Sequence, residues 1–141
     1  MHEGMQSLLV FADELENLRR VLHENVIRTA NSRQNPQNPL RPGMEITYDS
    51  TGEFVLPNSR TGISLAASIK QLGRIMAPGM KKWLLAVDRS SPLPEGLRMQ
   101  RDNPDHWSIV VTRQMTRAEL DARIDELIQR WKVLGRYVRY E

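Results

Sequence analysis

Cysteine is absent from the chain. That excludes a disulfide scaffold, a thiolate nucleophile and every zinc site that needs sulfur ligands. Histidine is nearly as scarce: His2, His23 and His106 stand far apart, so a metal site would need carboxylates as well. No run approaches the roughly 18 apolar residues of a membrane-spanning helix. The longest apolar stretches, such as residues 83–87, are strand-sized. The start, Met1-His-Glu-Gly4, has neither the basic opening nor the apolar run of a signal peptide. What remains is ordinary for a globular chain: 141 residues, 40% apolar and 26% charged. One soluble domain spanning residues 1–141 is expected, in a reducing or redox-indifferent setting.

The formal charge of +3 conceals an uneven layout. Acidic side chains outnumber basic ones over residues 1–53. Residues 54–97 carry Arg60, Lys70, Arg74, Lys81, Lys82 and Arg89 against only Asp88 and Glu95. A basic middle suits an anionic ligand, and equally it keeps a domain soluble. There is no dense Lys/Arg tract and no aromatic interleaving of the kind that lines a single-strand channel, so nothing here selects nucleic acid.

Apolar spacing predicts a helix over residues 7–26, with Leu8, Phe11, Leu15, Leu18, Leu22 and Val26 on one face. Glu16 and Arg20 form a supporting pair four residues apart. Residues 25–30 either finish this helix or form a short strand, which the β-branched Val26, Ile27 and Thr29 allow. Residues 31–43, rich in Pro and Asn, read as a loop. Two short strands follow at 44–48 and 53–56, joined by Asp49-Ser-Thr-Gly52. A short helix is expected over 65–73 with Ser64 as its N-cap and Leu65, Ile69 and Leu72 inward. Strands are expected at 83–87, 97–101 and 107–111, the first buried on both faces because it does not alternate. Thr116-Arg-Ala-Glu119 is a capping box opening the last helix, whose inward stripe is Leu120, Ile124, Leu127, Ile128 and Trp131. Residues 135–140 form a tail or an edge strand. The fold class is α+β: small, mainly antiparallel sheets flanked by an N-terminal and a C-terminal helix.

No phosphate loop, no Gly-x-Ser-x-Gly elbow and no His-Glu-x-x-His helix occurs in the chain. A Ser-His-Asp set exists on inventory, through Ser64, His106 and several aspartates, but no spacing selects it. Asp105 is merely the sequence neighbour of His106. His106 opens a strand, where it either carries a proton or hydrogen-bonds a ligand, or else stands as a surface residue at a strand edge. Ser64 either bonds a ligand or caps the next helix. Trp83, Trp107 and Trp131 and the seven methionines read as core.

Several short strings point further. They are Arg41-Pro-Gly-Met-Glu-Ile46, Gly52, Gly62-Ile-Ser-Leu65, Leu93-Pro-Glu-Gly-Leu97, Asp102, His106-Trp-Ser-Ile109, Met115 and Trp131. In this order they resemble a bacterial family that includes an ADP-ribosyltransferase-like toxin of type VI secretion systems, over roughly residues 41–131. The resemblance implies an ADP-ribosyltransferase-like fold, two packed small sheets with an inter-sheet cleft for NAD. It also implies a cytoplasmic site of action, in the producing cell or in a target cell. The family's small hydroxylic motif falls on Gly62-Ile63-Ser64, with Ile63 in place of a threonine. Its His-aromatic-Thr strand falls on His106-Trp107-Ser108. A first-strand arginine of such transferases corresponds to Arg28. By this resemblance Arg28 pairs with a cofactor phosphate or ribose. Ser64 positions the nicotinamide side or braces the cleft, and His106 bonds the ribose or polarises the acceptor. Active transferases usually place a glutamate before the acceptor, and residues 41–131 contain no Glu-x-Glu or Gln-x-Glu.

Two functions of different class follow. One is a toxin-type transferase that uses NAD. The other is a non-enzymatic binding module, half of a toxin–antitoxin or effector–partner pair with a cognate immunity protein. The acidic first helix and the missing glutamate favour the second.

Overall fold

The computed structural model describes residues 12–30, 45–77 and 79–138. Helix α1 spans Ala12–Glu24 and runs directly into strand β1, Asn25–Ala30. Strand β2, Phe54–Val55, precedes β3, Ile63–Ala66, and helix α2, Ile69–Ile75. Then come β4, Lys81–Asp88, β5, Leu97–Asn103, and β6, His106–Val111. The short β7, Met115–Thr116, leads into α3, Arg117–Ile128, and β8 closes the order at Lys132–Val138. Six strands form one sheet in the order β5-β6-β3-β1-β4-β8, while β2 and β7 make a separate two-stranded ribbon. Every pairing is antiparallel, as the α+β expectation requires. The predicted loop 31–43 and the first turn of the predicted helix lie outside the described residues.

Residues 25–30 resolve as strand. Their β-branched side chains suit a pleated surface, and all six pair with β4, from Asn25 opposite Asp88 to Ala30 opposite Trp83. The preceding helix end is satisfied at the junction, where Asn25 donates to the Val21 carbonyl at 3.1 Å and Arg89 donates to the carbonyls of Leu22 and His23. Val26 therefore joins the core through a strand and not through the helix stripe. Glu16 pairs with Arg19, at 3.5 Å, in place of the expected Arg20.

Alternation along the strands builds two apolar layers. Val26, Ala30, Leu65, Leu85 and Ile109 face one side, where Leu120, Ile124, Leu127 and Trp131 of the α3 region and Met115 of the ribbon cover them. Ile27, Ala66 and Leu84 face the other, under Leu18 and Leu22 of α1 and Leu72 and Met76 of the α2 region. Strand β4 is buried over residues 84–87 on both faces, as its unbroken apolar run predicts.

Helix α3 begins with the expected capping box. Thr116 Oγ1 accepts from the Glu119 amide at 3.1 Å, and a Glu119 carboxylate oxygen accepts from the Thr116 amide at 3.0 Å. In the first β-turn region, Gly52 has φ 75°, which lets the chain reverse between Tyr48 and Val55, themselves bridged. Residues 132–138 form an edge strand against β4.

The helix expected from residue 65 requires correction. Ile63–Ala66 is strand, and α2 begins at Ile69 with Ser68, not Ser64, as its N-cap; Ser68 Oγ accepts from the Gln71 amide at 3.0 Å. Leu65, Ile69 and Leu72 imitate a helical stripe, yet Leu65 joins one core layer through the sheet and Leu72 the other through α2. Full cross-strand pairing of β3 with β6 overrides the local pattern. The same pairing explains Gly62, where a Cβ would stand 2.3 Å from the Ile109 carbonyl oxygen.

Candidate active site

Strands β1 and β3 meet at a single register pair, Ile27 opposite Ala66. Continuing that register would set Thr29 opposite Ser64, but the backbone of Ser64 is claimed by side chains instead. Glu45 accepts from the Ser64 amide at 2.9 Å, and Arg28 donates to the Ser64 carbonyl at 3.1 Å. Arg28 and Glu45 are themselves joined at 2.7 Å, with side chains 8% and 1% exposed. A buried ion pair thus occupies the place of a neighbouring strand and fixes Ser64 through both of its backbone groups.

The Ser64 side chain points to the opposite face of the sheet from Arg28. Ser64 stands across from Ser108, and Ala66 across from His106, so these four residues share the α1/α2 face. There Ser64 Oγ lies 2.9 Å from His106 Nε2. His106 Nδ1 lies 2.8 Å from an Asp102 carboxylate oxygen. That same oxygen accepts from Ser108 Oγ at 2.5 Å, and the other accepts from the Gln100 amide group at 2.8 Å. Gln100 in turn donates to the Ser59 carbonyl and accepts from Arg98, which ties the cluster to the loop before β3.

Asp102 stands at a bulge. The β5–β6 register shifts between Arg101, opposite Trp107, and Asn103, opposite His106, leaving Asp102 as the extra residue. Asp102 keeps the face of Arg98 and Gln100, the side on which regular alternation sets it with His106 and Ser108, and its carboxylate reaches both. Partial burial raises its pKa, but the hydrogen bonds from Ser108, Gln100 and His106 outweigh that, so the carboxyl sits below its ordinary value and is ionised at neutral pH. A carboxylate only accepts, so His106 Nδ1 carries a proton. In the neutral ring Nε2 is then the acceptor, and the Ser64 hydroxyl donates to it. His106 and Asp102 remain about a quarter exposed, so the relay opens to solvent.

Of the three residues singled out in sequence, the structure brings Ser64 and His106 into direct contact. Arg28 touches Ser64 from beneath, engaged by Glu45, so it positions the strand and does not face the open side. Sequence reasoning missed Gln100 altogether and had Glu45, Asp102 and Ser108 only within the resembling strings, with no site role assigned to them. The alternation of Arg98, Gln100 and Asp102 with His106 and Ser108 across the turn held that part of the signal. Trp107 departs from a purely core role, since Arg89 stacks over its ring at 5.7 Å.

Two cavities lie apart from Ser64, Asp102 and His106, which line neither of them. One, of about 430 Å³, is lined by α1 residues Arg19, Leu22 and His23, by Ala67, Ser68 and Ile69, and by Arg89. The other, of about 300 Å³, lies at Pro57, Asn58, Arg98 and Val110. Among the described residues no group of three or more His, Asp or Glu is placed to hold a metal ion. Comparison with family models, curated proteins and solved structures returns no match to the chain.

Two outcomes follow. Arg28→Met leaves Glu45 buried without its guanidinium and should cost about 3–5 kcal/mol in urea denaturation, while the Arg28→Met/Glu45→Leu pair should recover most of that loss. For Asp102 the folded pKa is depressed, so its stabilisation is present above the unfolded carboxylate range and is lost as pH falls through the folded value. Asp102→Asn should therefore be less stable than the parent at pH 7, and denaturation midpoints should converge below about pH 4.

Proposed function

We propose that the chain is a toxin-type group-transfer enzyme of ADP-ribosyltransferase-like architecture, with NAD as donor and the Asp102–His106–Ser64 relay as its centre. One observation carries this reading: Ser64 and His106, far apart in sequence and chosen by resemblance, are in direct contact at 2.9 Å on one partly open face. When bound, NAD supplies an electrophilic ribose carbon with nicotinamide as leaving group.

The chain's own groups divide the remaining work. His106 Nε2 is the base that takes a proton from an attacking hydroxyl, and Asp102 stabilises the imidazolium so formed. Ser64 keeps the ring in register through its hydroxyl. Arg28 and Glu45 act through the Ser64 backbone, so their part is positioning. Arg89 and Arg98, each lining one cavity, suit the anionic middle of a dinucleotide. The donor reaches them more readily than Arg28, which is buried on the other face of the sheet. In this reading a cognate immunity protein would cover the face that carries His106.

Purified protein incubated with labelled NAD and cell lysate should release nicotinamide and transfer label, and its expression should slow host growth. His106→Gln should lower turnover by about 10²-fold or more. Absence of NAD loss together with normal growth would refute the reading, and capture of a stoichiometric protein partner under those conditions would favour the non-enzymatic module.

A further inference from the structure

We propose that Ser64 is itself an activated nucleophile, giving the chain an esterase-type activity toward esters with good leaving groups. The argument does not depend on NAD. It rests on three side chains from three strands: a hydroxyl 2.9 Å from a ring nitrogen, and a carboxylate 2.8 Å from the other nitrogen of that ring. The ionised carboxylate fixes the tautomer in which Nε2 accepts, and Nε2 then faces a hydroxyl that needs a base to react. Ser108 and Gln100 hold the carboxylate from its other sides, so Asp102 is held in place without the ring.

The step balances on these groups alone. Ser64 Oγ attacks the ester carbonyl carbon as its proton passes to His106 Nε2. The Oγ–carbon bond forms, the bond from carbon to the leaving oxygen breaks, and the alcohol departs with the proton from Nε2. Water then attacks the acyl-serine and yields a proton to Nε2. The carboxylic acid leaves, and the Ser64 hydroxyl is restored.

The backbone narrows the substrate class. The Ser64 amide is taken by Glu45, and the register turns the Leu65 amide toward β6 within the ladder. Neither amide is available to the developing oxyanion, a donor of the kind worth about 10²–10³ in rate. Amides, whose leaving groups are poor, are thereby disfavoured. Aryl esters and thioesters, which expel their leaving groups readily, are matched to a site with a positioned base and weak oxyanion support.

A fluorophosphonate probe tests this on the intact protein, with the adduct mapped by peptide mass spectrometry. The expected result is one probe per chain on Ser64, none in Ser64→Ala, and labelling slowed by about 10²-fold in His106→Ala. Added imidazole should restore labelling of His106→Ala, which a merely structural histidine would not do. p-Nitrophenyl acetate should give a burst of nitrophenol stoichiometric with the protein. A wild-type protein that takes no probe on Ser64, or that is labelled only at other serines, overturns the proposal. So does an unchanged rate in folded His106→Ala. NAD turnover in the same preparation reads the transferase separately, so either activity can fail without the other.

Discussion

A buried arginine–glutamate pair stands where the sheet stops being a continuous ladder. Past Ile27 and Ala66, β1 and β3 exchange no further register pairs, and Arg28 with Glu45 satisfies the backbone of Ser64 in place of a strand. The desolvation of two charges is offset by a 2.7 Å contact and by hydrogen bonds to the Ser64 amide and carbonyl. An ordinary β1–β3 ladder would have satisfied the same backbone groups without charge. The pair instead holds one residue by both of its backbone groups, and that residue presents its hydroxyl to His106. The geometry of the relay descends from this grip.

The opposite end of the relay is set by a different device. Asp102 stands at the bulge between Arg101 and Asn103, on the face it shares with Gln100, and owes its ionisation to three side-chain donors. The ion pair and the Ser108 and Gln100 donors therefore hold the two ends, Ser64 and Asp102, while His106 spans them. Charge matters here locally. The basic excess of residues 54–97 contributes Arg89 to one cavity, but its three lysines lie elsewhere, on α2 and β4.

How much of this was readable in the sequence depended on the range of the interaction. The Thr116 capping box and the strands at 83–87 and 107–111 are fixed by neighbours a few residues apart, and they appear as expected. Ser64 was misread as a helix cap because a local stripe of Leu65, Ile69 and Leu72 looks helical, whereas pairing with β6 decides its state. Asn25–Ala30 was ambiguous for the same reason, since only β4 shows which of two local preferences prevails. Glu45 reaches Arg28 across 17 residues, a contact no spacing rule foretells, whereas Asp102 and His106 share a face by alternation once the hairpin between them is paired. The resemblance placed Ser64 and His106 together, while the inventory of residues alone could not choose an aspartate.

The central claim is that His106 is held with its Nδ1 proton on Asp102 and its Nε2 free to accept from Ser64. Nitrogen-15 NMR of the histidine ring, recorded at alkaline pH where imidazole is neutral, reads that tautomer directly. The account predicts a protonated Nδ1 with a downfield proton that disappears in Asp102→Asn, and an unprotonated Nε2 whose shift moves in Ser64→Ala. A ring protonated at Nε2, indifferent to both substitutions, would contradict it.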